Sequence, residues 1–237
     1  MNDKEEKFPM RINKYLALKK YTTRRGADLM IEKKQVLING RLAVLGDKVN
    51  EEDKVEVKQK ALNHPRVYIA YNKPRGVLTH SAKGEDKEIR DVSELKDVFP
   101  IGRLDKDSEG LMILTNDGRI TERLLSPRFN HEKEYLVTVK EKLRGNFKQK
   151  MEAGVQIEKE TTKPCKVHIL NEQTFKVVLT EGKKHQIRRM CVALFQEVDN
   201  LKRIRIMNIQ LGSLKGGEHR KIEGDELHAF LHELALA

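Results

Sequence analysis

The chain has 237 residues, enough to bury a substantial core as one large domain or as one large and one small. Lys and Arg number 47 against 36 Asp and Glu, a formal net charge of +11 that favours a polyanionic partner, nucleic acid before membrane. No apolar run approaches the ~20 residues that span a bilayer, and 5% aromatics with no Trp exclude an array of exposed stacking rings for single strands.

Residues 1 to 9 are polar and expected to be disordered; Met1 to Lys7 is charged, with no signal-peptide core behind it. Ile12, Tyr15, Leu16 and Lys19 then fall at helical spacing. Thr22 or Thr23 can cap a second helix carrying Ala27, Met30 and Ile31 on one side. Val36-Leu37-Ile38, the pair Asn39-Gly40 and Leu42-Ala43-Val44 predict a hairpin with a type I′ turn, and Val55 and Val57 a further strand. Arg11, Lys14, Lys19 and Lys20 flank the first helix and Arg24-Arg25 opens the second. Those two cations sit at a helix start whose dipole disfavours them but whose amides attract phosphate. A polar linker is expected from about Gln59 to Pro65.

Val67 to Tyr71 alternates as a strand and runs into Asn72-Lys73-Pro74-Arg75-Gly76, a turn fixed by Pro and Gly beside two cations. Residues 80 to 90 are charged and read as a mobile loop. The most informative stretch is Phe99 to Arg119. A charged loop carrying Arg103 and Asp105 leads through Gly110 into the buried-strand run Leu111 to Leu114, which Asn116-Asp117-Gly118 stops with turn chemistry. A carboxylate on a loop tied to a core strand can be held in a fixed position. On charge alone, Asp105 beside an Arg and two Lys would still be an ordinary solvated ion pair.

Ile120 and Leu124 mark a short helix that must end by Pro127. Glu134 to Lys140 alternates, with Tyr135, Val137 and Val139 on one face; by pattern alone Tyr135 is a core residue with its hydroxyl at the rim. Leu143, Phe147 and Met151 repeat at helical spacing up to Gly154. Lys163 to Leu170 and Thr174 to Thr180 predict a hairpin. Ile187, Met190 or Cys191, and Leu194 predict a helix with Arg188 and Arg189 off the apolar stripe near its start, placed for an RNA phosphate or a carboxylate. In Ile204 to Leu211, Arg203 and Arg205 alternate with Ile204 and Ile206, so cations should line one strand face. Asp225 is expected to cap a final helix, Glu226 to Leu236, with Leu227, Phe230, Leu231 and Leu234 inward. Cys165 and Cys191 lie far apart in apolar-patterned segments, which argues against a disulfide or cysteine metal site and for a reducing cytoplasm.

Gly102-Arg103-Leu104-Asp105, Gly110 and Thr115-Asn116-Asp117-Gly118 resemble the signature of RsuA-type RNA pseudouridine synthases, and Asn72-Lys73-Pro74-Arg75-Gly76 resembles their first motif. Residues 10 to 60 resemble the S4 RNA-binding domain. His131 to Val137, Gln186 to Cys191 and Arg205 to Asn208 are similar to the RluF branch, which modifies 23S ribosomal RNA. The resemblance implies a cofactor-free, metal-free isomerase that breaks a uridine's N-glycosidic bond and rejoins ribose and base through carbon. It places the catalytic Asp on Asp105, either as nucleophile or as base. Substrate contacts fall on Arg103 (the flipped-out nucleotide), Tyr135, Arg188 (paired with the Asp) and Leu211 (packed against the base). His185 occupies a variable position. RNA contacts are expected from Arg11, Lys14, Arg24, Arg25, Lys73, Arg75, Arg189, Arg203 and Arg205.

The fold expected is α+β: a mixed, largely antiparallel sheet flanked by helices in a catalytic domain at 64–237, with a small S4-like α/β RNA-binding module at 10–60. A cytoplasmic monomer acting on 23S rRNA is expected. Small-subunit rRNA or tRNA as substrate, and a non-catalytic ribosome-assembly protein that kept the fold, remain alternatives.

Overall fold

A computed structural model describes residues 8–19, 21–22, 24–58, 65–80, 86–93, 95, 98–158 and 160–236. The expected disorder at residues 1–7, Lys20, the Thr23 cap, the Arg25 side chain, most of the linker and residues 81–85 of the 80–90 loop lie outside the described residues. The chain forms two compact units, Met1–Arg66 with Asp117–Arg119, and Val67–Asn116 with Ile120–Ala237.

In the first unit β1 (Met10–Arg11) leads into α1 (Ile12–Leu18) and α2 (Arg24–Glu32), then β2 (Val36–Ile38), β3 (Arg41–Leu42), β4 (Lys48–Val49) and β5 (Val55–Val57). The Asn39-Gly40 turn forms as expected. Both residues have positive φ, 50° and 80°, which a type I′ turn demands and Asn and Gly tolerate. The Asn39 side chain also accepts from Lys54 N (2.8 Å) and donates to Asp53, binding the turn to the start of β5. Ile12, Leu16, Ala27, Ile31, Val36 and Ile38 bury one face of each element into a single small core.

The second unit is built on one mixed sheet. Its strands are β6 (Tyr68–Lys73), β7 (Phe99–Ile101), β8 (Glu109–Thr115), β9 (Lys133–Val139), β12 (Lys166–Ile169), β13 (Thr174–Leu179), β14 (Val198–Ile206), β15 (Ile209–Gln210) and β16 (His219–Lys221). A separate hairpin joins β10 (Gln156–Ile157) to β11 (Glu160–Thr161). The main order is β12-β13-β9-β14-β8-β6-β16, with β7 on β8 and β15 on β14. Every pairing is antiparallel except β14 with β8.

Helices cover both faces because the strands alternate cleanly. Ile69, Tyr71, Met112, Leu114, Tyr135 and Val137 face one cluster, closed by Phe147 and Met151 of α5 (Phe147–Glu152), Ile187 and Met190 of α6 (Gln186–Ala193), and Ile89 of α3 (Ile89–Val92). Tyr68, Ala70, Leu111 and Ile113 face the other, closed by Ile120 and Leu124 of α4 (Arg119–Leu125), Phe230 of α7 (Gly224–Glu233) and Leu234 at its C-cap. Each such side chain, buried fully, contributes roughly 1.5–3 kcal/mol, so a one-residue slip in register would empty both clusters.

Three sequence expectations are corrected. The helix foreseen from Leu143 begins at Phe147, because the Leu143 amide is drawn off to the Glu172 carbonyl (2.7 Å) in the β12–β13 turn. The last helix begins at Gly224 behind Glu223, which leaves Asp225 in the first turn, where its charge still suits the helix dipole. The strand foreseen at 204–211 is instead the end of a long strand from Val198, a turn, and the short β15.

The β8/β14 pairing dictates one residue type. Gly110 has φ +111° and lies opposite Arg203, and a Cβ there would sit 2.6 Å from the Arg203 amide nitrogen and closer still to its carbonyl oxygen. Gly110→Ala is expected to cost about 3 kcal/mol or more through backbone separation and φ strain. Gly118→Ala, which meets nothing within 4 Å at an unstrained φ, should stay within about 0.5 kcal/mol. Urea midpoints of the two variants give the comparison.

Candidate active site

The loop 102–108 that carries Asp105 is held almost entirely by its backbone. The buried Thr79 hydroxyl donates to the Leu104 carbonyl (2.8 Å) and accepts from the Leu104 amide (3.0 Å). Gly76 N donates to the Lys106 carbonyl (2.8 Å), and Ser108 N closes a turn onto the Asp105 carbonyl (3.1 Å). From α6, Arg188 donates Nη2 to the Asp107 carbonyl (3.0 Å) and Nη1 to the Val198 carbonyl (3.2 Å), joining the loop to the start of β14. Fixing the main chain in this way leaves the Asp105 carboxylate, 37% exposed, at the surface of a rigid turn.

The expected Arg188 to Asp105 ion pair is therefore not formed: the guanidinium fork is spent on carbonyls of the loop. The carboxylate instead faces His185, whose Nε2 lies 3.4 Å from Asp105 Oδ1. His185 stands at the N-cap of α6 with left-handed backbone (φ 51°), one turn ahead of Arg188. The family resemblance puts His185 at a variable position and gives it no role. The available signal was its place three residues before Arg188 at a helix start, close enough for both to reach the same loop.

Beneath the loop runs a row of paired residues across the sheet: Lys73 opposite Gly110, Gly110 opposite Arg203, Arg203 opposite Tyr135, Tyr135 opposite Val177. Tyr135 is 8% exposed and belongs to the same apolar cluster as Leu104 and Ile187. Leu211 is not there. It is buried in the cluster on the other face of the sheet, because the Met207-Asn208 turn folds β15 back along β14.

Several cations expected to meet RNA are internal. Lys73 is fully buried and donates to the carbonyls of Pro74 (2.9 Å), Val77 (2.6 Å) and Lys106 (3.5 Å), so it supports the loop from below. Burial pulls its pKa down to about 8 against the attraction of Asp105, Asp107 and Glu109. Arg203 is 4% exposed, donating Nε to the Leu111 carbonyl (2.7 Å) with Nη2 against Met112 Sδ. A β-bulge between Arg203 and Arg205 turns the two arginines to opposite faces, which defeats the single cationic face expected. Arg205 pairs with Glu134 (2.8 Å) and Glu132 (3.0 Å). Arg189 pairs with Glu158 (3.1 Å) and donates to the Lys184 carbonyl (3.2 Å). Of the other cations, Arg75 and Arg103 are exposed in the second unit. In the first, Arg11 and Arg24 are exposed and Lys14 is half-buried.

Lys133, on the same strand face as Tyr135, is a further buried cation with burial bringing its pKa to about 8; its ammonium donates to the His131 carbonyl (3.3 Å). Both cysteines are free, and burial pushes Cys165 up to about 11 and Cys191 to about 12, so neither offers a thiolate. Among the described residues no three His, Cys, Asp or Glu side chains are placed to hold a metal ion, and no helix is long and apolar enough to cross a membrane.

Comparison with known proteins gives the class of this chain, an RNA-modifying isomerase that carries an S4 domain. Residues 67–193 match the RNA pseudouridylate synthase family and residues 10–55 the S4 domain. The chain belongs to the RNA pseudouridylate synthase family. It is 43% identical over 224 residues to the dual-specificity RNA pseudouridine synthase RluF of Escherichia coli (strain K12), covering 92% of this chain and 77% of that one. It is 34% identical to the ribosomal large subunit pseudouridine synthase B of Bacillus subtilis (strain 168), covering 92% and 93%. A solved pseudouridylate synthase superposes with a TM-score of 0.69 at 30% identity, covering 95% of this chain and 99% of that one.

The buried Lys73 gives a pH test. Its folded pKa, about 8, lies below the ordinary lysine value, so the cost of burying the charge is full below pH 8 and is relieved as pH rises toward 10.5. Wild type should therefore gain about 1 to 3 kcal/mol on Lys73→Met between pH 7.5 and 10. Parallel denaturation curves would show a constant gap if Lys73 kept an ordinary pKa.

Proposed function

We propose that this protein converts a specific uridine of 23S ribosomal RNA to pseudouridine, with Asp105 as the catalytic residue. The observation that carries the assignment is the loop around Asp105. Thr79, Gly76, Ser108 and Arg188 all bond its main chain, and the carboxylate is left exposed to a substrate. Family membership gives the reaction, and the large-subunit relative in Bacillus subtilis supports the RNA class.

The reaction balances within one nucleotide. The N1–C1′ bond breaks, a C5–C1′ bond forms, C5 gives up its proton, and N1 gains one. Asp105 acts either on C1′ as nucleophile or on the 2′ proton as base. Both roles need an ionised carboxylate held at a fixed distance from the ribose. Arg188 positions that carboxylate through the Asp107 carbonyl, and His185 sets the direction of its Oδ1. The target base must leave its stack, and Tyr135 with Leu104 and Ile187 offers an apolar surface to receive it. Arg103, exposed beside Leu104, is placed for the phosphate of the displaced nucleotide. Arg11, Lys14, Arg24 and Arg75 supply further phosphate contacts, with Arg25 beside Arg24 in sequence. Asp105, Tyr135, His185 and Arg188 all belong to one chain, which favours a monomer, and ribosomal RNA as substrate favours the cytoplasm. The dual specificity in the name of the Escherichia coli relative supports a second RNA substrate beside the first.

Asp105→Asn keeps the shape and removes the charge. Tritium release from RNA labelled at uridine C5 should fall below a few per cent of wild type, with RNA affinity unchanged within about tenfold. Substantial release would remove Asp105 from the chemistry; running 23S, small-subunit and transfer RNA in parallel identifies the substrate class. The triple variant Arg11→Gln, Lys14→Gln, Arg24→Gln should weaken RNA binding and lessen the slope of log K against log salt by about 2. An unchanged slope would make those three residues ordinary surface charge.

A further inference from the structure

Outside the catalytic loop, the most exposed large apolar side chains of the second unit stand together at the C-terminal end of α6: Val192 at 65% and Phe195 at 69%. Phe195 takes the left-handed backbone just beyond the helix (φ 62°), where glycine is the unstrained choice, so the chain holds an aromatic ring outward from a costly position. Its ring is not bare. The Arg144 guanidinium lies over it, 4.7 Å from the centroid, and the two wall a cleft of about 450 Å³. Phe147 and Leu194 floor the cleft; Asn146 and Lys150 complete its rim.

We propose that this cleft takes an unpaired nucleobase of the substrate RNA, a nucleotide flanking the target uridine, stacked on Phe195 with its phosphate held by Arg144 and Lys150. The inference rests on the RNA-modifying reading above and adds to it a second contact point. Charge selects the occupant. The rim cations Arg144 and Lys150, with exposed Lys148 between them in sequence, offer a polyanion paired charges and a polar Asn146, whereas an apolar protein partner would leave both rim cations to be desolvated. The volume falls within the roughly 300–1,000 Å³ of ligand clefts, room for one base and its ribose. Distance makes the ligand part of the same strand. α6 begins beside His185 and Arg188, which reach the Asp105 loop, and its eight residues place Phe195 about 12 Å further on. The low aromatic content excludes an array of stacking rings; a single ring suffices to fix one flanking base and so the register of the target.

The test uses substrate RNA carrying 2-aminopurine at successive positions on either side of the target uridine. Binding to wild type should quench the fluorescence at one of these positions. Phe195→Ala should abolish that quenching and raise KM about tenfold with kcat within twofold, and Phe195→Trp should restore both. Arg144→Gln should raise KM and lessen the salt slope by about one. If Phe195→Ala binds with the same quenching and KM as wild type, the cleft does not hold a base of the substrate RNA and the proposal is wrong. Wild-type tritium release in the same reactions tests the enzymatic reading separately. Should it be absent, the quenching comparison still decides whether the base sits on Phe195.

Discussion

The second unit depends on how closely two parallel strands approach. At Gly110 the backbone of β14 comes so near β8 that no side chain fits between them. That approach has a consequence on each side. Along β8, Gly110 ends the loop that carries Asp105, so the loop's exit is fixed by main-chain geometry and its entry by Gly102, also at positive φ. Across the sheet, the missing side chain leaves room for the Arg203 guanidinium to lie over β8 and bond the Leu111 carbonyl. A parallel pair cannot be closed by a hairpin, and here the crossover from β8 to β14 brings in β9, with Tyr135, and α6, with His185 and Arg188. One topological feature therefore delivers each element of the site to the same end of the sheet.

The charge of the protein divides into three populations that the sequence does not separate. Lys73, Lys133 and Arg203 are buried and bond mainly to carbonyls, an arrangement that costs desolvation and secures loop and strand geometry. Arg189 and Arg205 are paired with glutamates. Arg11, Arg24, Arg75 and Arg103 are left exposed. The net charge of +11 thus overstates the surface available to RNA.

Legibility followed range. Elements specified by local pattern were readable: the Asn39-Gly40 turn, the alternation of β9, the apolar stripe of α6, and the loop-to-strand passage through Gly110. Short pairings such as β7 and β16 were not, since three residues carry no distinctive period and exist as strands only because β8 and β6 offer them an edge. The placements of Arg203 and Arg205 were misread for a related reason. A single bulge reverses which face an arginine occupies, and nothing local in Arg203-Ile204-Arg205 announces it. Leu211 went astray because its neighbours are set by a fold-back at Met207-Asn208, not by its own strand.

The division of labour between Arg188 and His185 follows from side-chain geometry. A guanidinium presents a planar fork of donors, suited to tying two carbonyls at once, and Arg188 spans the Asp107 and Val198 carbonyls from two separate segments. Imidazole presents one nitrogen toward one acceptor, and His185 meets a single carboxylate oxygen. A carboxylate gripped bidentately by arginine would have both oxygens committed. With one histidine facing it, Asp105 keeps an oxygen uncommitted, while the arginine holds rigid the backbone from which that carboxylate projects.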